Sequence, residues 1–178
     1  MKIYTARGDQ GQTDLLGERV TKGDPRIELL GELDESTSSI GLARSLSSWE
    51  NAGEMLLTVQ RDLYQIMAEL AFTDATRPDG MVFQADRIDW LEESIAKVQE
   101  SVELPREFIV PGETTPGAAL DVCRTVVRRT ERAAVHLAEA GTAINAEIIR
   151  YLNRLSTLMF ILARAEDGHV IVAKEHDE

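Results

Sequence analysis

The chain has 178 residues, of which 43% are hydrophobic, and a formal net charge of −12 at pH 7. This length suits one domain with a substantial core, and the acidity argues against nucleic-acid binding, which requires a basic surface. No apolar run reaches the roughly 18–20 residues of a membrane span, and the first residues lack the apolar region of a signal peptide. Because Cys123 is the single cysteine, we expect a cytoplasmic protein in which it is a buried small side chain rather than a reactive thiol.

The first 23 residues are punctuated by glycine at positions 8, 11, 17 and 23, between threonine and charged residues. This pattern predicts an extended segment rather than a helix. In "TARGDQGQTD" (5–14) the glycines would let backbone N–H groups approach a phosphate closely. The segment is neither a Walker A loop nor a dinucleotide fingerprint, and a disordered terminal tail is the alternative interpretation.

Helix signals begin after this segment. Asp24 and Pro25 predict the start of a first helix that runs to about Ser45. Ser47 and Glu50 have the spacing of a capping box, which predicts a second helix from there to about Phe72. The stretch "TDATRPDG" (73–80) predicts a loop before a third helix from Asp86 to about Ser101.

The second half predicts two more helices. "ELPREFIVPGETTPG" (103–117) predicts a connecting loop, and Thr115-Pro116 opens a fourth helix that extends to about Ala140. Gly141 ends it, and a fifth helix runs from about Ala143 to Asp167, where Gly168 ends it. Five helices with mostly short connections predict an all-α fold, an up-and-down bundle with an extended glycine-rich N-terminal segment. We expect one domain over residues 1–178.

The fourth helix carries "CRTVVRRTER" (123–132), with four arginines in ten residues. On a helical wheel a polar stripe lies opposite the apolar face, with Arg129 at its flank; the stripe contains Asp121, Arg124, Arg128, Glu131 and Arg132. One interpretation is a solvated face with i,i+3 and i,i+4 ion pairs, such as Arg128 with Glu131. The other is a phosphate- or carboxylate-binding surface, which suits the planar guanidinium group.

The fifth helix shows a similar division. Its apolar side includes Tyr151 and a row of leucines, and the wheel places four residues on the opposite, polar side: Asn153, Ser156, Thr157 and Arg164. Asn153 is therefore predicted to point away from the core. It is interpreted either as an ordinary surface amide or as a binding group.

Five segments resemble, in order, the motifs of the PduO-type ATP:cob(I)alamin adenosyltransferases. They are "IYTARGDQGQTDLLGERVTK", "GELDES…IG" (31–41), "FIVPG" (108–112), "CRTVVRRTER" and "YLNRLSTLMFILAR" (151–164). The resemblance covers residues 3–164. It implies a five-helix bundle, a homotrimer with nucleotide sites between subunits, and transfer of the adenosyl group of ATP to the cobalt of a reduced corrinoid such as cob(I)alamin, with release of triphosphate.

The resemblance also implies roles for individual residues. ATP would be bound by two groups, which are Thr5, Ala6, Arg7, Gly8, Thr13, Arg19 and Lys22 in the N-terminal segment and Arg128, Arg129, Glu131, Arg132 and Asn153 in the helices. Arg128 would stabilise the charge of the leaving triphosphate, whose oxygens Mg²⁺ would bridge. No metal site built from protein ligands alone is expected.

The corrinoid side of the site would use three further residues. Asp34 and Arg124 resemble a pair that links neighbouring subunits beside the corrinoid. Phe108 resembles the aromatic residue that excludes the lower axial ligand of cobalt, although a buried anchor for its loop is another interpretation. A corrin reductase is a further partner that this chemistry suggests, because the cobalt must be reduced.

Several positions depart from the family pattern. This chain has Leu120-Asp121 where the family usually has Leu-His, and Ser156-Thr157 where it has Ser-Asp. It has Ser36-Thr37 in place of Leu-Asn, and Glu113 in place of the second glycine after Pro-Gly. The alternative function is therefore a non-catalytic ATP-binding or sensor trimer on the same scaffold. A second alternative, a di-metal bundle, needs two Glu-x-x-His motifs, and only Glu166–His169 has that spacing.

Overall fold

The computed structural model of the protein describes residues 3–73, 75–104 and 106–174. Its five helices confirm the predicted helical bundle: α1 Pro25–Leu46, α2 Ala52–Ala71, α3 Asp86–Gln99, α4 Thr115–Glu139 and α5 Ala146–Asp167. Helix α4 packs against α1 and α5, α2 packs against α1, and α3 packs against α5. Within the described ranges, no helix is long and apolar enough to cross a membrane. The outermost residues of the predicted domain (1–2 and 175–178), with Asp74 and Pro105 of the predicted loops, lie outside the described residues.

Local capping signals place several helix ends as predicted. The Asp24 carboxylate accepts a hydrogen bond from the N–H of Arg26 at 2.9 Å, and Pro25 is the first residue of α1. At the other end of the bundle, Gly168 closes α5 in the left-handed conformation, with φ 68°. The N-cap of α4 is Thr114 rather than Thr115, because the Thr114 hydroxyl accepts from the N–H of Gly117.

Two predicted helix starts are wrong. Ser47 is the C-cap of α1, and its hydroxyl donates to Glu166 of α5, so it does not form a capping box with Glu50. Helix α2 consequently begins only at Ala52. Helix α5 begins at Ala146 rather than Ala143, because the Asn145 side chain caps the N–H of Glu147 at 3.0 Å.

Two short antiparallel sheets were not predicted: β1 Gln12–Leu15 with β2 Glu18–Thr21, and β3 Ile109–Val110 with β4 Ile171–Val172. The extended N-terminal segment is therefore folded back on itself as a hairpin. Its turn contains Gly17 at φ 119°, where an added Cβ would lie 2.8 Å from a side-chain carbon of Thr76, so only glycine fits. The N–H of Leu16 donates to the carbonyl of Ala71 at 3.0 Å, which attaches the hairpin to the end of α2.

The helical wheel misplaces three polar residues. Asp121, Ser156 and Arg164 were predicted on polar, outward faces, but their exposed fractions are 5%, 6% and 3%. Arg164 is neutralised inside the protein by Asp121 at 2.5 Å and by Asp167 at 2.7 Å. Charged groups can be buried when they are paired in this way. A pattern along one helix does not reveal such pairing.

A second polar cluster joins three helices within the core. The carboxylate of Asp62 on α2 accepts from Nε and Nη2 of Arg87 on α3, each at 2.8 Å, and from the hydroxyl of Tyr151 on α5 at 2.8 Å. Burial raises the pKa of Tyr151, and the adjacent Asp62 charge raises it further. The hydroxyl of Tyr151 therefore stays protonated as a donor.

Cys123 is buried, as predicted, with 1% of its surface exposed. Burial raises the pKa of its thiol to about 11, so the nucleophilic thiolate is disfavoured near neutral pH. Its role is packing against the core.

Candidate functional site

Two of the four arginines on α4 are held by carboxylates. Nε of Arg129 donates to Glu32 at 2.7 Å, and its Nη2 donates to Glu35, both on α1. Nε of Arg124 donates to Asp121 at 3.0 Å. Arg129, which was predicted to bind ATP, therefore connects α4 to α1 within this chain.

The other two arginines on α4 keep their charge available. Arg128 and Arg132 are exposed, and within the part of the chain that the structure describes, neither forms an ion pair with a carboxylate. Nη1 of Arg132 instead donates to the backbone carbonyl of Arg128 at 3.0 Å. Among the described residues Arg128 forms no ion pair with Glu131, whose carboxylate accepts from Nδ2 of Asn153 at 2.8 Å.

These side chains share a cavity of about 240 Å³ between α4 and α5, lined by Arg128, Glu131, Arg132, Val135, His136 and Asn153. It combines two guanidinium groups with an amide and a carboxylate. Such a set can bind a phosphate and hydrogen-bond a sugar hydroxyl. Sequence reasoning missed Val135 and His136, although they follow Glu131 and Arg132 by one helical turn on the same face.

The amide of Asn153 is oriented by a neighbour that sequence reasoning also missed. Nη1 of Arg154 donates to Oδ1 of Asn153 at 2.8 Å, and Nε of Arg154 donates to Glu92 of α3 at 2.8 Å. Because the amide oxygen is occupied by a donor, the amide nitrogen points to Glu131. Asn153 is thus on the polar surface, as predicted, and is held by partners on either side.

The N-terminal candidates form a second group around the hairpin. Nη2 of Arg19 donates to the carbonyl of Arg7 at 2.7 Å, and its Nη1 binds Asp14 at 2.6 Å. Nζ of Lys22 lies 3.2 Å from the point that a Cβ on Gly8 would occupy. Two cationic side chains therefore lie beside this stretch of backbone, and Lys22 occupies the space that a side chain at position 8 would need.

The remaining N-terminal candidates lie on the same segment. Thr5 accepts a weak hydrogen bond, at 3.4 Å, from the N–H of Arg7, and Ala6 has a left-handed backbone with φ 59°. Thr13 is in β1, opposite Val20 of β2. Across the described ranges, no hydrogen bond or ion pair joins this group to the cavity between α4 and α5. The structure therefore leaves the two groups of candidate residues apart in this chain, as two candidate half-sites.

The corrinoid-side candidates are exposed or paired elsewhere. Asp34 is exposed on α1, and within the described chain it is not paired with Arg124, whose Nε binds Asp121. Phe108 has 89% of its surface exposed, which argues against a buried loop anchor. Its backbone carbonyl accepts from the N–H of Ala173 at 2.7 Å, beside β3 and β4.

The residues of the alternative di-metal motif point to different partners. The Glu166 carboxylate accepts from the N–H of Ser48 and of Trp49, each at 2.9 Å. Nε2 of His169 lies 2.7 Å from Glu113. Among the described residues, no three histidine, cysteine or acidic side chains are placed to share a metal ion.

Comparison with known sequences identifies the family. Residues 3–166 match the family model described as cobalamin adenosyltransferase. The chain is 39% identical over 165 residues to the "Cobalamin adenosyltransferase" of Cupriavidus metallidurans, covering 92% of this chain and 86% of the relative. It is 38% identical over 172 residues to the "Corrinoid adenosyltransferase PduO" of Salmonella typhimurium, covering 94% of this chain. The chain spans half (50%) of the length of that relative.

Solved structures agree with the sequence comparison. One is a variant PduO-type ATP:corrinoid adenosyltransferase from Lactobacillus reuteri, complexed with cobalamin and ATP, in which alanine replaces a phenylalanine. It is 32% identical, with a TM-score of 0.90 over 98% of this chain and 100% of that chain. A variant of the enzyme from the same organism, in which lysine replaces an arginine and which is complexed with ATP, has a TM-score of 0.88. It is also 32% identical and covers 97% of this chain and 100% of that chain. The chain therefore belongs to the cobalamin adenosyltransferase family.

Proposed function

We propose that this protein transfers the 5′-deoxyadenosyl group of ATP to the cobalt of a reduced corrinoid, cob(I)alamin, and releases triphosphate. The observation that carries the proposal is the cavity in which Arg128 and Arg132, free of carboxylate partners among the described residues, lie beside Glu131 and Asn153. Its support is the family, whose relatives are named corrinoid adenosyltransferases, and a similar structure that holds cobalamin and ATP.

ATP binds across the two half-sites in this proposal. The amide of Asn153 and the carboxylate of Glu131 hydrogen-bond the nucleoside, while Arg128 and Arg132 face the phosphates. The glycine-rich segment, residues 1–23 of a single domain over 1–178, closes over the phosphates with Arg7, Arg19 and Lys22. Thr5, Ala6, Gly8 and Thr13 supply backbone and hydroxyl groups to the same ligand. Arg129 contributes indirectly, because its guanidinium holds α4 against α1.

The reaction requires little proton transfer by the protein. Co(I) supplies the electron pair that attacks C5′ of ATP, the C5′–O bond breaks, and the triphosphate leaves with that bond's electrons. The protein orients the two reactants and stabilises the negative charge that develops on the leaving oxygen. We assign the stabilisation of this negative charge to Arg128. Mg²⁺ would accompany ATP and offset part of the negative charge of the triphosphate.

The corrinoid lies, in this proposal, beside Asp34, Arg124 and Phe108. An exposed Phe108 can place its ring against the lower face of the corrinoid and exclude the axial ligand, which makes cobalt easier to reduce. Asp34 of one subunit pairs with Arg124 of the next, which requires an oligomer. We propose a homotrimer in the cytoplasm, with a corrin reductase as the source of Co(I).

The proposal is tested by adenosylation of chemically reduced cobalamin. The protein is mixed anaerobically with cob(I)alamin and MgATP, and the conversion is followed by absorbance, with triphosphate measured in the same sample. We expect adenosylcobalamin and triphosphate in equal amounts, and neither product when ATP is omitted. ATP binding without either product would favour the sensor alternative and contradict the enzyme.

A further inference from the structure

A buried network of charges reaches the surface of α4 at Arg124. Its centre is Arg164, whose side chain is 1% exposed. Nη2 of Arg164 lies 2.5 Å from Oδ2 of Asp121 and 2.7 Å from Oδ2 of Asp167. Oδ1 of Asp167 accepts from both the N–H and the hydroxyl of Thr114, at 3.1 and 2.9 Å. The network therefore connects the end of α5 with the beginning of α4.

The charge balance of the network requires a second cation. Two carboxylates, of Asp121 and Asp167, surround the single guanidinium of Arg164, and both are almost fully buried. A buried carboxylate is stable only when its charge is matched and its oxygens are hydrogen-bonded. Asp121 meets this condition through its other oxygen, Oδ1, which accepts from Nε of Arg124 at 3.0 Å. Arg124 is the outer, partly exposed member of the set, with 28% of its side chain exposed.

This arrangement fixes the direction of the Arg124 guanidinium. Nε is bound to Asp121, and in the described part of the chain Nη1 and Nη2 of Arg124 make no hydrogen bond. The two terminal nitrogens are thus presented together, as the fork that binds a carboxylate with two hydrogen bonds. A long side chain that is already oriented loses less conformational entropy when its partner binds.

We propose that Asp121 is a positioning residue, which orients Arg124 for a carboxylate of a second copy of this chain beside the corrinoid. This inference rests on the proposed function, in which Arg124 pairs with Asp34 of the neighbouring subunit. The exposed position of Asp34 on α1 leaves its carboxylate accessible to such a partner. Asp121 acts only through Arg124 and does not contact the substrates.

The close packing around Asp167 offers a matched control. Gly117 lies so near that an added Cβ would be 2.0 Å from Oδ1 of Asp167, so this end of the network is locked into the fold. Asp167→Asn disturbs the same buried Arg164 but does not touch Arg124. Asp121→Asn disturbs both. A purely structural role for Asp121 predicts similar effects of the two variants, whereas a positioning role separates them.

The experiment compares the KM for cob(I)alamin, kcat and the unfolding midpoint in wild type, Asp121→Asn, Asp167→Asn, Arg124→Ala and the double variant Asp121→Asn/Arg124→Ala. We expect Asp121→Asn to raise the KM for the corrinoid roughly two- to tenfold, the effect of losing one pre-oriented side chain, while the KM for ATP stays unchanged. Asp167→Asn should lower the midpoint but leave both KM values unchanged. In the Arg124→Ala background, Asp121→Asn should not change the corrinoid KM further.

Three results would overturn the inference: an unchanged corrinoid KM in Asp121→Asn, an equal rise in Asp167→Asn, or an undiminished effect of Asp121→Asn in the absence of the Arg124 guanidinium. Should Asp121→Asn fail to fold, Asp121→Ala keeps the Arg164–Asp167 pair, removes the carboxylate from Arg124 and carries the same expected rise. A wild-type chain that binds ATP but transfers no adenosyl group would overturn the proposed function and this inference with it. A normal wild-type enzyme with a normal Asp121→Asn variant would overturn the inference alone.

Discussion

Residues 124–132 of α4 carry four arginines, and their environments divide them into two pairs. Arg124 and Arg129 are bound to carboxylates of their own subunit. Arg128 and Arg132 face a cavity with their charges unmatched by carboxylates in the described chain. In a protein of net charge −12, unneutralised guanidinium groups are the expected mark of an anion-binding site. The local partners therefore assign different roles to identical residues.

Arg128→Ala should remove most adenosyl transfer and leave the fold intact. A charged hydrogen bond to a developing leaving group contributes about 1.5–3 kcal/mol, which corresponds to a loss of roughly 10- to 150-fold in rate. Arg128→Lys should restore only part of the rate, because lysine lacks the planar fork. Turnover and melting temperature are measured on the same preparations.

Arg150→Ala is the matched control for this prediction. Arg150 is an exposed arginine on α5 that pairs with Glu147, three residues away, at 2.7 Å, and such surface pairs contribute little to stability. We expect wild-type turnover and melting for this control. Wild-type turnover in Arg128→Ala as well would mean that the charge of Arg128 serves no catalytic purpose and that the phosphate site is assigned wrongly.

At the scale of elements, the sequence predicted what short-range signals determine. Asp24 with Pro25 and Gly168 mark real helix ends because capping involves only neighbouring residues. The start of α2 was missed because the Ser47 hydroxyl is bound by Glu166, 119 positions along the chain. Asp121 and Arg164 were misplaced for a similar reason, since each is buried by a partner on the other helix.

The candidate site was predictable to a similar degree. The motifs identified Arg128, Glu131 and Asn153, which the structure brings into one cavity. They did not reveal that Arg129 is neutralised, because Glu32 and Glu35 lie on another helix. The pair of Asp121 with Arg124, three residues apart on α4, has the spacing of a local helical ion pair. The hairpin of the N-terminal segment was also missed, since its anchor to α2 depends on contacts distant in sequence. What could not be predicted is the pairing between elements.

Glu166→Gln should weaken the hydrogen bonds that hold the segment between α1 and α2 and should thereby destabilise the fold. Burial opposes ionisation of Glu166, but hydrogen bonds from the Ser47 hydroxyl, the N–H of Trp49 and the hydroxyl and N–H of Ser48 outweigh it, so that the pKa of Glu166 is lowered from its usual 4.5. Removing the charge should reduce the free energy of unfolding by about 1–2 kcal/mol at pH 7. The free energy of unfolding is obtained from urea titrations.

The sign of the pH dependence follows from the lowered pKa of Glu166. Its stabilising contribution is fully present above the unfolded-state pKa and is lost as the pH falls through the lower folded-state pKa. The stability difference between wild type and Glu166→Gln should therefore shrink below about pH 4. Glu93→Gln, at an exposed site in the middle of α3, should show no stability difference from wild type at pH 7 or below pH 4. A difference for Glu166→Gln that stays constant with pH would contradict this role of the charge.

MgATP should order the N-terminal segment. Residues 3–11 are mostly exposed, and they are held by turn hydrogen bonds and by the hydrogen bond from Arg19 to the carbonyl of Arg7, so we expect a bound ligand to protect them further. Hydrogen exchange of residues 5–22 should slow when MgATP is added, whereas exchange within α2 should not change. Mg²⁺ alone is the control. Unchanged exchange in residues 5–22 with MgATP at saturating concentration would argue against a nucleotide site there.

At the scale of the whole molecule, the two groups of candidate residues lie apart within one chain. Arg19 and Lys22 lie on a hairpin attached to the end of α2. Arg128 and Arg132 lie between α4 and α5, and the described residues include no polar contact that joins the two groups. Exposed apolar side chains such as Leu42 on α1 and Val122 on α4, at 60% and 58%, supply surface for association. In the proposed homotrimer, a second copy would complete each site.

A homotrimer with sites between subunits makes a prediction that a monomeric site does not. Light scattering should give three times the mass of the chain. Lys22→Ala and Arg128→Ala should each be nearly inactive alone, because each damages one half of every site. In a cyclic trimer that mixes the two variants, one interface of the ring joins an intact N-terminal segment to an intact α4. Mixed trimers should therefore recover about one third of the wild-type rate, measured after unfolding and refolding the variants together. Activity no higher than that of the separate variants, in trimers shown by mass to be mixed, would place both halves of the site in the same subunit.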